Sequence, residues 1–321
     1  MKAIVVEDFK KTPRWMDFKD PIAGPDELVV EVAASALSNL VKAQSNGTHY
    51  SSVASFPFVP GADGVGKLSN GTRVFFIAPK RPFGAMGEKS LVHKDLCVPV
   101  PDDVSDETAA SIANPAMSSW AALSHRAKMV AGESVLINGA TGTSGRLAVK
   151  IARHLGAKKI IVTGRDPNSL DYLRSIGVDE VISLKQETSL LSAQFREAIS
   201  RDHVSVVLDY LWGSSAEAII DAIGGKGSHH NNRPIRFVQI GSISGHTINM
   251  PASALRSTGL EIMGSGLGSV SDKDLVQVIG EALKVATRAD LKVDYVTRPM
   301  TEAENVWNQD FGNDRLVFTR P

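Results

Sequence analysis

The residues best arranged for chemistry lie in one stretch, Ser134 to Arg165, SVLINGATGTSGRLAVKIARHLGAKKIIVTGR. Within it, Ala140-x-Gly142-x-x-Gly145 is a G-x-G-x-x-G pattern with Ala at the first position. Gly142 lets a backbone approach a pyrophosphate closely, and Gly145 lets a helix lie tight against a strand. The first helical N–H groups, with Thr141, Thr143 and Ser144 beside them, then face the phosphates. The alternative is a tight turn chosen for packing alone. An NAD site places Asp or Glu about 20 residues beyond the last glycine, where it bonds the ribose 2′-hydroxyl. Here Gly164 stands near that position and Arg165 follows. No carboxylate repels a 2′-phosphate, and a guanidinium is placed to pair with it, so the residues read as an NADPH site. The competing account is a solvated Arg165–Asp166 turn.

These groups need a frame. Val135–Ile137 is an apolar run suited to a buried parallel strand, and Leu147, Ile151 and Leu155 recur at helical spacing. Ile160–Val162 is a second buried run, so strand, turn, helix and strand make one βαβ unit. The alternation continues with helices at 168–176, 192–200 and 214–223. Strands are expected at 180–183, 204–210, 235–240 and 261–264. That pattern predicts a doubly wound parallel sheet with ligand off the carboxyl ends of its strands. Loops 210–213, 241–245 and 264–268 are therefore candidate site loops, with Gly241, Ser242, Gly264 and Ser265 as cofactor contacts; the alternative is that they are turn residues. Ser271 is placed to cap a last helix, and 315–319 reads as a strand returning to the N-terminal domain.

The first hundred residues read as short strands at 2–6, 28–33, 73–77 and 90–93, with a short helix at 38–44. The stretch Phe58–Gly66 holds too many glycines for an ordinary strand. Helix at 106–111 is expected to break at Asn114-Pro115 and resume over 118–129.

The chain has 321 residues, room for two domains, and equal counts of 35 basic and 35 acidic residues. Zero net charge supplies no global field for nucleic acid or an anionic membrane. Cys97 is the single cysteine, which excludes an intramolecular disulfide and fits a reducing cytosol. With no signal-like start and no apolar run near the roughly 20 residues of a membrane span, the expectation is a cytoplasmic protein with no membrane partner.

MKAIVV, VPGADGVG, NGTRVFF, IANPAMSSWAAL, INGATGTSG, FVQIGSISG and GLEIMGSGLGS occur in this order along the chain. Together they resemble the medium-chain dehydrogenase/reductase superfamily, in its zinc-free quinone oxidoreductase-like (zeta-crystallin-like) branch, over nearly the whole length. The resemblance implies an α/β fold: a GroES-like partly open β-barrel domain plus a Rossmann domain with a doubly wound parallel sheet. Residues 1–117 would form the first part of the GroES-like domain, 118–264 the NADP-binding Rossmann domain, and 265–321 the segment completing the first. Cofactor would lie in the cleft between them, and a homodimer would form through the Rossmann sheet edge. Where zinc-dependent relatives carry a catalytic Cys and a Gly-His-Glu motif, this chain has Ser38, Ala62 and Asp63. Zinc sites are built from thiolates and imidazoles, so no metal site is expected.

Without a Lewis acid, alcohol oxidation loses its main driving element, whereas a quinone or α,β-unsaturated carbonyl accepts hydride at carbon and moves charge onto oxygen. The implied activity is NADPH-dependent reduction of a quinone or enone. On the substrate side, relatives' Asn position falls at Ser38 and their Tyr position near His49 or Tyr50. Tyr50 is the candidate oxyanion donor and His49 a candidate proton relay; ordinary packing is the alternative. Ser119 aligns with a family Thr near the nicotinamide, and helix packing accounts for it equally well. His229-His230 read as solvated loop residues. Competing functions are reduction of another activated alkene, such as an acrylate or enoyl thioester, and non-catalytic NADPH binding.

Overall fold

The computed structural model describes residues 1–49, 51–225, 234–266 and 268–321, so Tyr50 and His229-His230 lie outside the described residues. The chain opens with β1 (Lys2–Val5), β2 (Arg14–Asp17), β3 (Glu27–Ala36), α1 (Asn39–Ser45), β4 (Asp63–Lys67), β5 (Arg73–Ile77), β6 (Lys89–His93), β7 (Cys97–Pro99) and α2 (Asp106–Ala121). It continues with β8 (Ser134–Asn138), α3 (Thr143–His154), β9 (Lys159–Gly164), α4 (Pro167–Ser175), β10 (Glu180–Ser183), α5 (Thr188–Asp202), β11 (Val204–Asp209), α6 (Gly213–Gly224) and β12 (Ile235–Gln239). The last elements are α7 (Ala252–Arg256), β13 (Leu260–Gly264), α8 (Asp272–Val285), β14 (Tyr295–Pro299), α9 (Ala303–Val306) and β15 (Arg315–Thr319). Two compact units result: Met1–Asn114 with Asp272–Pro321, and Pro115–Ser271.

The first unit is built on a mixed sheet ordered β14-β15-β3-β4-β5-β7, with β6 also paired to β3. This is the GroES-like partly open barrel. Its core gathers Val30, Val32, Phe76, Met86, Trp307 and Phe318. The returning strand β15 pairs antiparallel with β3 and is joined on its other side by β14 in parallel. The glycine-rich stretch departs from expectation, because Asp63–Lys67 is a regular strand pairing with both β3 and β5. A Cβ at Gly66 would collide with the Glu31 carbonyl, so glycine is what lets β4 lie against the irregular step at Val32–Ala34 of β3.

The expected break at Asn114-Pro115 is also absent. Helix α2 runs through Pro115, and a π turn at Ala122–Arg126 follows it. Ala109, Ala110, Ile112, Ala113 and Ala116 are fully buried, and that burial outweighs the one hydrogen bond the proline ring removes.

In the second unit all strand pairings are parallel, in the order β10-β9-β8-β11-β12-β13. Counted from β8, the order is 3-2-1-4-5-6, the doubly wound Rossmann arrangement. The winding reverses between β8 and β11, and in doubly wound sheets ligands bind off the carboxyl ends of the strands at such a reversal. Leu136, Phe195, Val207, Ile219 and Phe237 form the core under the sheet. No helix among the described residues is long and apolar enough to cross a membrane.

Candidate nucleotide site and substrate-side residues

The reversal point is fixed by a buried polar lattice. Asn138 ends β8 and Asp209 ends β11, and the Asn138 Nδ2 donates to Asp209 Oδ1 at 2.8 Å and to Ser215 Oγ at 2.9 Å. Thr163 on β9 donates to Asn138 Oδ1 at 2.7 Å and accepts from the Gly139 N–H at 2.9 Å. Asp209 also accepts from the Leu211 and Trp212 N–H groups, holding a turn in which Trp212 and Gly213 both have positive φ. Burial raises the Asp209 carboxyl above the usual carboxylate range, and these hydrogen bonds offset part of the rise. Sequence spacing gave no sign of this lattice. The available signal was one polar residue at the end of each apolar strand.

The turn from β8 into α3 is made at Gly139, whose φ is 90°, rather than at Ala140. Gly142 is the N-cap of α3 in extended backbone, and no side chain caps the helix. A Cβ at Gly142 would meet nothing within 4 Å, whereas one at Gly145 would sit 2.5 Å from Ala140 Cα. The two glycines thus differ: Gly145 is required by close helix–strand approach, and Gly142 faces open space in front of unbonded N–H groups. That geometry fits the phosphates of a dinucleotide.

At the end of β9, a Cβ on Gly164 would overlap Thr141 Cγ2 and Leu170. A carboxylate there would need Thr141 to move. Arg165 is exposed and makes no hydrogen bond or ion pair among the described residues. Asp166 caps α4 instead of pairing with it, accepting from the Ser169 N–H at 2.8 Å. That hydrogen bond, helped by Lys185, holds the Asp166 carboxyl below its ordinary value. Arg146 was not singled out from sequence. Its Nε donates to the Thr141 carbonyl at 2.9 Å and its guanidinium lies 4.4 Å from the Tyr172 ring centroid.

The remaining loops converge on the same edge. A Cβ at Gly241 would lie 2.5 Å from the Tyr210 carbonyl. Gln239 links the two outer loops, accepting from the Ser265 N–H at 2.8 Å and donating to the Gly241 carbonyl at 2.9 Å. Arg126 donates to the Gly264 carbonyl at 2.7 Å. Ser242 lies in the turn closed by Gly245. Ser119 is fully buried, and its hydroxyl is shared among the Pro115 and Ser144 carbonyls and the Tyr210 hydroxyl at 2.8 Å. It therefore ties α2 and β11 to the first turn of α3. Burial pushes the Tyr210 phenol upward.

In the first unit, Ser38 is the N-cap of α1 and accepts from the Val41 N–H at 3.2 Å. His49 Nδ1 accepts from the Ser51 N–H at 3.2 Å and lies 2.7 Å from the Ser51 hydroxyl. Asp63 is 1% exposed; its Oδ2 accepts from Asn114 at 2.7 Å, and its Oδ1 has no hydrogen-bond partner. Burial raises the Asp63 carboxyl, partly opposed by Arg315, two of whose nitrogens are likewise buried without a partner. Among the described residues no three His, Cys, Asp or Glu side chains gather as a metal-binding group.

A family model described as zinc-binding dehydrogenase matches residues 145–284. A probable NADPH-dependent quinone reductase of Emericella nidulans is 29% identical, covering 95% of this chain and 96% of its own. A mycobacterial quinone oxidoreductase superposes over 99% of both chains with a TM-score of 0.85 at 19% identity. The quinone oxidoreductase of Thermus thermophilus, solved also as its complex with NADPH, gives 0.79 at 23% identity over 99% of this chain and 100% of its own. The strand order, the glycine turn opening α3 and these matches agree in making the chain similar to the quinone oxidoreductase-like members of the medium-chain dehydrogenase/reductase superfamily.

Proposed function

We propose that this protein is an NADPH-dependent, zinc-independent oxidoreductase that reduces a quinone or an α,β-unsaturated carbonyl. The observation that carries the cofactor choice is the β9–α4 turn. Gly164 carries no carboxylate and one placed there would have to displace Thr141, Asp166 is committed to its cap, and Arg165 is exposed and without a partner among the described residues. In this reading Arg165 pairs with the 2′-phosphate, and the N–H groups of Thr143, Ser144 and Gly145 hold the pyrophosphate with the Thr141 hydroxyl. Gly241, Ser242, Gly264 and Ser265 contact the nicotinamide half, and Ser119 acts as a positioning residue through the Ser144 carbonyl. The similarity to the probable NADPH-dependent quinone reductase of Emericella nidulans supports the assignment.

NADPH, when bound, supplies the hydride. The chain holds the acceptor and donates hydrogen bonds to the oxygen on which charge develops. Tyr50 is the proposed donor, and His49 is a proposed proton relay. The zinc-independent reading is supported by side-chain chemistry. Ser38 uses its oxygen to cap α1, Ala62 offers no ligand atom, and the Asp63 carboxylate is bonded to Asn114. The reading extends to a cytoplasmic homodimer joined along the edge strand β13, which a monomer in sedimentation would refute.

The test is NADPH oxidation with 1,4-benzoquinone, 9,10-phenanthrenequinone, a 2-alkenal and a saturated alcohol–NADP⁺ pair, each with and without chelator. Turnover of a quinone or enone that is insensitive to chelator is expected. Turnover confined to the alcohol pair, or abolished by chelator, would overturn the proposal.

A further inference from the structure

A cavity of about 250 Å³ opens in the first unit, and none of the residues assigned above lines it. Its wall includes Phe9, Lys10, Lys11, Lys42, Ser45 and Trp307, and no carboxylate contributes to it. None of the three lysine side chains has an ion-pair or hydrogen-bond partner among the described residues. Gathering like charges around one hollow is unfavourable unless something negative enters. Ser45 supplies a second, independent sign. It is 3% exposed, and its Oγ is buried with no hydrogen-bond partner. Buried hydroxyls are ordinarily bonded, and this one, on a residue that lines the cavity, has no acceptor.

The lining also includes the apolar rings of Phe9, Pro13 and Trp307. Trp307 is 4% exposed and stacks on Phe318 with centroids 6.2 Å apart, so its ring is held in place. A dry cavity of about 150 Å³ suffices for benzene, so this one has room for an aryl ring and a charged head.

We propose that this cavity binds a small organic anion, an aryl phosphate or aryl carboxylate. The head group takes the Lys10, Lys11 and Lys42 ammonium groups and the Ser45 hydroxyl, and the ring lies against Phe9 and Trp307. The site is independent of the nucleotide turn and holds whether or not the proposed reaction is correct.

Calorimetric titration with phenyl phosphate tests it, using the wild type, Lys42→Ala, Lys10→Ala/Lys11→Ala, Ser45→Ala and, as a control at the other anion site, Arg165→Ala. One saturable site per chain is expected, weakened about ten-fold or more in each lysine variant and less in Ser45→Ala. Arg165→Ala should bind like the wild type, and inorganic phosphate should bind more weakly than phenyl phosphate. Absence of saturable binding to the wild type, equal affinity in the lysine variants, or a loss confined to Arg165→Ala would each overturn the proposal. Ser45→Ala removes only an unpaired hydroxyl, so it separates a lost contact from a lost fold.

Discussion

Replacing Arg165 with alanine leaves the backbone between β9 and α4 in place and removes one exposed guanidinium. Its neighbour Asp166 accepts from the Ser169 N–H at 2.8 Å, so in the proposed reading the guanidinium would meet the 2′-phosphate without prior neutralisation. A charge-assisted bond of this kind contributes about 1.5–3 kcal/mol, and solvent exposure at Arg165 places the loss at the lower end. A loss of about 1.5 kcal/mol lowers kcat/KM for NADPH roughly ten-fold. NADH has no 2′-phosphate, so its kcat/KM should hold within about two-fold. The assay is initial-rate oxidation of each cofactor with 1,4-benzoquinone at low and high ionic strength. Because the contact is exposed, raising salt should narrow the gap between wild type and variant. Arg165→Lys keeps the charge without the planar fork and should fall between them. An unchanged ratio of NADPH to NADH efficiency, or an equal fall for both cofactors, would refute the 2′-phosphate assignment.

Gly164→Asp forces a side chain onto Thr141 and brings a carboxylate to the 2′ position, so NADPH efficiency should drop more than about ten-fold while NADH is favoured; steady-state kinetics with both cofactors decides. Asp209→Ala leaves one Asn138 amide N–H and the Leu211 and Trp212 N–H groups without their acceptor and should cost on the order of 3 kcal/mol, read by urea unfolding. Ser38→Ala removes a helix cap at about 1 kcal/mol and should leave chelator-insensitive turnover intact; a metal-dependent loss would show Ser38 to be a ligand instead. Burial raises Asp63, so the native state binds its proton more tightly than the unfolded chain does. Its contribution is full below the unfolded value of about 3.9 and is lost as pH rises through the native value. Wild type should therefore lose stability relative to Asp63→Asn on going from acid to neutral pH, and parallel denaturation profiles would contradict this.

Much of the second unit was legible because its strands are buried on both faces and read as unbroken apolar runs. Ile160–Val162 and Val206–Leu208 are examples, each followed by turn chemistry. The first unit was harder. The strands β2, β7 and β14 escaped notice because RWMD, CVP and YVTRP are short, half-exposed and lack a two-residue alternation. The opposite error at Gly64 and Gly66 came from treating glycine as a strand breaker. In β4 the missing side chains are what the neighbouring strand requires, and a single sequence does not reveal how close that neighbour comes.

The phosphate turn shows where spacing stops being informative. Gly142 and Gly145 could be assigned different tasks from their positions, but the turn itself depends on Gly139, one residue earlier than the pattern suggested. The groups that hold the turn are farther away still. Asn138 and Asp209 are 71 residues apart and become partners only because the chain returns to the middle of the sheet after β10. Had β11 been laid beside β10, Asp209 would end far from Asn138, and a buried carboxylate would lack the amide that now accompanies it. The same reversal that marks the ligand side of a doubly wound sheet also delivers the carboxylate that fixes the backbone there. Asn138, Thr163 and Asp209 are thus consequences of strand order, and their buried polarity is the one feature a reader of the sequence could have questioned.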